Sequence, residues 1–163
     1  MSAMLCPLAS GSLGNALLVA SAGARVLVDA GVSQRRLRSG LRAAGVEPDE
    51  LDAVLLTHTH HDHFSAAAVG FCLGRNLPVY STEENLAHLA ATMPTFRRLV
   101  SGGLARPIDG KPVEVGDMTV EAFPVPHDSA GGCLGFRLTL GPRQERWLGT
   151  ALRVLLNEPP HGG

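Results

Sequence analysis

The alternation of apolar and polar positions divides the chain into short strands and helices. Residues 15–20 and 24–29 are apolar runs separated by Ser21-Ala22-Gly23, a turn composition, which predicts a β-hairpin. Ser10-Gly11-Ser12-Leu13-Gly14-Asn15 ahead of them is too rich in Gly and Ser for anything but a loop. After Ser33 the period changes. Leu37, Leu41 and Ala44 share one face while Arg35, Arg38 and Arg42 lie off it, so a helix capped by Ser33 should run to about Ala44 and stop at Gly45. Residues 53–57 read as a short apolar strand, and Ser65 opens a second helix to about Arg75. Residues 78–81 predict another strand, and Ser81 with Glu84 resembles a capping box for a third helix to about Thr92. Pro94 breaks the pattern. Residues 112–115 and 118–125 are strand-like and joined at Gly116-Asp117, and residues 133–140 form a further strand. Residues 147–156 fit strand or helix, and 157–163 read as a disordered tail. Strands alternating with helices predict an α/β layered domain.

Composition narrows this picture. A chain of 163 residues that is 45% hydrophobic and 18% charged is one globular domain's worth, long enough to bury a core. At 4% aromatic, that core must rest on Leu, Val and Ala. The net charge of -1 excludes a global basic field that would recruit nucleic acid. No apolar run reaches the roughly 18 residues of a membrane span, and residues 1–10 lack the pattern of a secretory leader. Cys6, Cys72 and Cys133, odd in number and far apart, make no disulfide framework and read as buried small hydrophobes. A cytoplasmic protein is expected.

The chemistry concentrates in Thr57-His58-Thr59-His60-His61-Asp62-His63, directly after an apolar strand. In extended chain, residues i and i+2 project to one side, so His58 and His60 can grip one ion. A following turn lets Asp62 and His63 face a second, with His61 pointing away. Imidazole and carboxylate suit zinc, with manganese or iron as alternatives. Two such ions can clamp the attacking and leaving oxygens of a displacement. A His-rich surface loop or a tag is the bland alternative, and a tag would not follow an apolar strand in mid-chain. His127 also follows a strand and is the next candidate ligand, whereas His88 and His161 read as ordinary. Asp29 ends a strand. It can either hold a ligand histidine by its second nitrogen or be a simple turn residue.

Residues 57–63 match the HxHxDH signature of the metallo-β-lactamase superfamily. Together with residues 10–15, Leu27-Val28-Asp29-Ala30-Gly31, Pro124-Val125-Pro126-His127-Asp128 and Gly135-Phe136, the chain resembles the YycJ/WalJ branch of metal-dependent hydrolases, which are implicated as cytoplasmic DNA exonucleases. The resemblance covers about residues 4–140. It implies an αββα sandwich with the metals at one edge of its two sheets. His58, His60 and His127 would bind a first ion, and Asp62 and His63 a second. Asp62 would also orient a metal-bound hydroxide that attacks a phosphodiester, making DNA the substrate.

The chain departs from that pattern beyond Gly141. The family's bridging Asp and last His have no counterpart, since no Asp follows Asp128 and His161 stands in a different context. Residues 1–163 are therefore expected to form a single incomplete domain, largely the N-terminal half of the sandwich, with residues 141–163 atypical through truncation or a frameshift. Without the bridging carboxylate the second ion should bind weakly. An uncovered sheet face should expose apolar surface, giving low solubility or a partner-dependent fold. Arg35, Arg36, Arg38 and Arg42 make a basic helix, with Arg97 and Arg98 a smaller pair, and sequence alone assigns both to solvated faces. Two other functions compete with the nuclease: a non-catalytic remnant binding one metal or none, and a hydrolase of another ester, a thioester or a lactam. The lactam is disfavoured by the missing export signal.

Overall fold

Strands β2 (Ala16–Ala20) and β3 (Arg25–Val28) form the predicted hairpin, and every side chain in them except that of Arg25 is buried. Strands this apolar need cover on both faces. Ala16, Leu18 and Leu27 face one core, while Leu17, Val19, Val26 and Val28 face another. The computed structural model describes residues 3–126 and 132–140, so the expectations for His127 and for the tail from Gly141 lie outside the described residues.

Around this hairpin a six-stranded sheet is built. Strand β1 (Met4–Ala9) pairs antiparallel with β2. Strands β4 (Ala53–Leu55), β5 (Val79–Ser81) and β6 (Ala105–Pro107) follow β3 in parallel, giving the order β1-β2-β3-β4-β5-β6. Parallel neighbours require crossover connections. These carry helices α1 (Gln34–Ala43), α2 (Ala66–Arg75), α3 (Glu83–Thr92) and the short α4 (Arg97–Ser101). The helices join the first core through Leu37, Leu41, Phe71, Leu89 and Leu99. The other face is covered by a second antiparallel sheet of β7 (Val113–Val115), β8 (Met118–Val125) and β9 (Cys133–Leu140), through Val120, Phe136 and Leu138. The described residues thus form helix, sheet and sheet layers of an α/β sandwich.

Two expectations are corrected. The six-stranded sheet has no bare face. The outward positions of the second sheet carry Glu114, Thr119, Glu121, Arg137 and Thr139 together with half-buried Phe123 and Val125, and the Thr119 hydroxyl donates to Glu114. Among the described residues, Leu13 and Val100 are the large apolar side chains left exposed. The cap of α3 is Thr82, whose hydroxyl accepts from Asn85 N, and not Ser81. Ser81 is still in the sheet, where its hydroxyl donates to Leu56 O across 3.0 Å. Among the described residues, no helix is long and apolar enough to cross a membrane.

Candidate metal centre

The parallel register sets Val28 opposite Leu55, so the C-terminal ends of β3 and β4 deliver Asp29 and the 56–58 segment side by side. Crevices at such strand ends are the usual site position in layered α/β folds. Asp29 has φ 63°, a left-handed conformation that Asp tolerates better than most residues. In that pose its buried carboxylate turns back on the following strand. Oδ1 accepts Thr57 N at 2.8 Å and Oδ2 accepts the Thr57 hydroxyl at 2.7 Å. Oδ2 also lies 2.5 Å from His63 Nδ1.

Residues 60–63 close a turn, with His63 N and Phe64 N both donating to His60 O. Phe64 is wholly buried and anchors the turn, its ring edge-on to Phe96 at 5.9 Å. The backbone around it is bonded to two other segments. Ala30 N donates to His63 O at 2.8 Å, Asn15 N to Asp62 O at 2.7 Å, and Gly31 N to Asn15 O at 2.9 Å. Gly31 is obligatory here, because a Cβ would lie 1.8 Å from Asp62 O. The Asn15 side-chain amide reaches Gly11 O at 2.9 Å, Asp62 O at 3.2 Å and His63 Nε2 at 3.2 Å. The Gly/Ser loop is thereby pinned against the His/Asp turn.

Three imidazoles collect at this edge. The ring centroid of His58 is 3.9 Å from that of His63 and 4.7 Å from that of His60. His58 is buried, its Nδ1 2.9 Å from the Thr57 hydroxyl and 3.7 Å from Cys133 Sγ. His60 and His61 are exposed, while Asp62 and His63 are half-buried. Strand β9 of the second sheet touches the same segment, with Leu134 N donating to Thr57 O at 2.8 Å.

The field at this edge favours positive charge. Burial pulls the His63 pKa down. The Asp29 hydrogen bond and the charges of Asp29 and Asp62 outweigh it, so the pKa is raised. Cys133 is pushed up to about 11 by burial and by the Asp29 charge, and stays a thiol at neutral pH.

The donors fit a divalent cation in kind: imidazoles, one carboxylate, and a second carboxylate fixing the remote nitrogen of a ring. They do not close a site by themselves. Among the described residues, no three His, Cys, Asp or Glu side chains form a group that could hold a metal ion. His127, the further candidate, lies outside them. Sequence reasoning passed over Asn15 and Gly31 as individual site residues. Their signal was the spacing of Gly14-Asn15 and Asp29-Ala30-Gly31 around the hairpin.

The beta-lactamase superfamily domain model matches residues 24–155 of the chain. The chain is 34% identical over 128 residues to the exodeoxyribonuclease YycJ of Bacillus anthracis, covering 76% of this chain and 45% of that protein. It is 32% identical over 127 residues to the exodeoxyribonuclease WalJ of Streptococcus pneumoniae, covering 75% and 45%. The chain therefore spans about half the length of these curated relatives. Over 74 residues it is 43% identical to a ribonuclease of Thermus thermophilus, covering 45% of this chain and 17% of that protein. Among solved structures, a metallo-β-lactamase with a HARLDQ motif from Cronobacter sakazakii superimposes with a TM-score of 0.63 at 18% identity, over 83% of this chain and 57% of that one. The Rm3 metallo-β-lactamase gives 0.61 at 22% identity, over 82% and 54%.

Proposed function

The chain belongs to the beta-lactamase superfamily and has the metallo-β-lactamase fold, and from that premise we propose that it is a metal-dependent hydrolase acting on phosphodiester bonds of nucleic acid. His58, His60 and His127 would hold a first divalent ion, and Asp62 and His63 a second, with Asp62 also orienting the attacking water. An imidazole-rich donor set suits zinc. Bound ions would supply an activated water near neutral pH and neutralise charge developing on the phosphoryl oxygens.

The observation that carries this reading is the grip of the Asp29 carboxylate on His63 Nδ1 and on both Thr57 donors. It fixes the ring with Nε2 toward Asp62 Oδ2, 3.8 Å away. A histidine held at one nitrogen by a buried carboxylate is arranged to ligate through the other. Asn15 supports the same loop from the opposite side. Nucleic acid as the substrate class is supported by the names of the relatives, two exodeoxyribonucleases and a ribonuclease. DNA is proposed as the substrate from the first two.

Two measurements on tag-free protein purified without chelator test the reading. Elemental analysis should find about one tightly held zinc per chain, with a second taken up only at raised metal concentration. A chromogenic phosphodiester should be hydrolysed, with loss of activity on chelation and in Asp62→Ala. Metal-free protein that gains no activity when zinc is restored would refute the proposal.

A further inference from the structure

The arginines of this domain are paired unevenly. At the end remote from the His/Asp turn they are neutralised: Arg25 lies 3.4 Å from Glu50, Arg42 3.3 Å from Glu47 and Arg75 3.4 Å from Asp49. All three acids come from the 47–50 segment that leads into the N-terminal end of β4. At the other end of α1, Arg35, Arg36 and Arg38 have no carboxylate within ion-pair distance among the described residues. Arg38 meets the neutral Gln34 Oε1 at 3.1 Å. Arg35 and Arg36 are exposed.

Their position matters. Helix α1 is capped by Ser33, two residues after Gly31, whose Cα sits against the Asp62 carbonyl. The first turn of α1 therefore stands at the strand-end edge beside the His/Asp turn. The first turn of α1 holds no acid, and cations there oppose the helix dipole. Local helix stability does not account for them. With about 100° between successive residues, Arg35 and Arg36 lie on the side away from buried Leu37 and Leu41, and half-buried Arg38 lies next to Arg35 at the margin of the buried face. Elsewhere on this edge, the first turn of α3 carries exposed Glu83 and Glu84. The rim is thus polarised, basic at α1 and acidic at α3.

We propose that Arg35, Arg36 and Arg38 form a binding surface for the phosphate backbone of a nucleic-acid strand, which reaches the His/Asp turn across the first turns of α1. The direction of approach rests on the nuclease reading, while the backbone contact itself requires no cleavage. Unpaired guanidiniums suit phosphate oxygens by geometry and charge. The acidic side at α3 would repel the same strand.

The test is fluorescence anisotropy of a labelled phosphorothioate oligo(dT), which resists cleavage, titrated with the metal-loaded chain over a range of salt. Replacing Arg35, Arg36 and Arg38 together by Ala should weaken binding by about tenfold or more at low salt. The slope of log affinity against log salt should fall by about 2, at roughly 0.7 per phosphate contact on a single strand. Arg42→Ala, at the neutralised end, should bind as the parent does. Arg35→Glu with Arg36→Glu should abolish binding while leaving the melting temperature unchanged or raised, because acids suit a helix N-terminus. Unaltered affinity and slope in the triple variant, an equal loss in Arg42→Ala, or no binding by the parent chain would overturn the surface. Cleavage by the parent with unaltered binding by the triple variant would sink this surface alone. Binding without any phosphodiesterase activity would sink the hydrolase reading and leave the surface standing.

Discussion

Asp29 and His63, 34 residues apart in sequence, meet at 2.5 Å between Oδ2 and Nδ1. The carboxylate is buried and also accepts hydrogen bonds from the backbone N–H and the hydroxyl of Thr57. One side chain thus joins the end of β3, the end of β4 and the turn that carries Asp62. It acts on the fold and on the site together, and two substitutions separate those effects.

Asp29→Asn keeps the left-handed backbone comfortable and preserves an acceptor for Thr57 N, but removes the charge beside His63. The fold should persist while zinc affinity falls by about 10–100-fold, as is usual when the partner of a ligand histidine is altered. Asp29→Ala should in addition lose about 1–3 kcal/mol of stability, because Thr57 N–H is left buried without an acceptor. Competition with a chromogenic chelator reads the first effect and urea denaturation the second. Equal zinc affinity in parent and Asp29→Asn would show that the carboxylate serves the fold alone.

Gly31→Ala places a methyl group 1.8 Å from the Asp62 carbonyl, with the backbone at Asp62 and His63 as the atoms that must move. Backbone cannot yield as a flexible side chain can. The expected cost is about 2 kcal/mol or more, together with loss of metal. Gly74→Ala is the matched control. It lies in α2 with open space around it and should stabilise the chain by about 0.5–1 kcal/mol. Thermal melts of the two variants should move in opposite directions.

What could be read from the sequence follows the range of the interactions. The hairpin β2–β3, helix α1 with its Ser33 cap and the β7–β8 turn at Gly116 are set by neighbouring residues, and all are present. Strand β1 escaped notice because Pro7 and a register irregularity interrupt its alternation. Strand β6 is three residues long and ends in Pro107, so it exists because β5 offers a partner. The five-residue α4 is too short to show a period. The sequence leaves Asp29 open between a turn residue and the partner of a ligand histidine, and the latter role belongs to the proposed function. The left-handed φ of Asp29 makes the turn, and that turn aims the carboxylate at His63. The part played by Asn15 depends on contacts 47 and 48 residues away, which no local pattern records.

The cysteines give a prediction in pH. Burial pushes the Cys72 thiol up to about 12, because the thiolate is penalised in an apolar surround. At pH 8 an alkylating reagent should label half-buried Cys6 in the native chain and leave buried Cys72 and Cys133 untouched, with all three reacting in guanidinium. The sign of the linked stability follows. An unfolded thiol ionises near its ordinary value of 9.0 while the folded one keeps its proton to about 12, so stability falls as pH rises between those values. Cys72→Ala should flatten that alkaline decline. An unchanged decline would place its cause elsewhere.

Asn15 joins the Gly/Ser loop to the residues proposed to hold the second ion. Its amide donates toward Gly11 O and Asp62 O, and Gly11 N donates back to its Oδ1 at 3.2 Å. The amide also lies 3.2 Å from His63 Nε2 and 3.4 Å from Asp62 Oδ2. Two amide hydrogens cannot satisfy four such neighbours at once. An ion that engaged His63 Nε2 and Asp62 Oδ2 would leave the amide to the two carbonyls. Asn15→Ala should therefore loosen the loop, at a cost of about 0.5–1.5 kcal/mol for the side-chain hydrogen bonds lost, since Asp62 O keeps its bond from Asn15 N and Gly11 is exposed. It should lower kcat of the proposed phosphodiesterase more than it raises KM, because Asp62 would lose its support. Asn15→Asp sharpens the argument by placing a carboxylate beside Asp62. In metal-free protein the like charges repel, whereas a bound dication offsets them. The stabilisation gained on adding zinc should then be larger in Asn15→Asp than in the parent, as read by the shift in melting temperature. An equal shift in the two proteins would mean that no cation sits between Asp62 and His63.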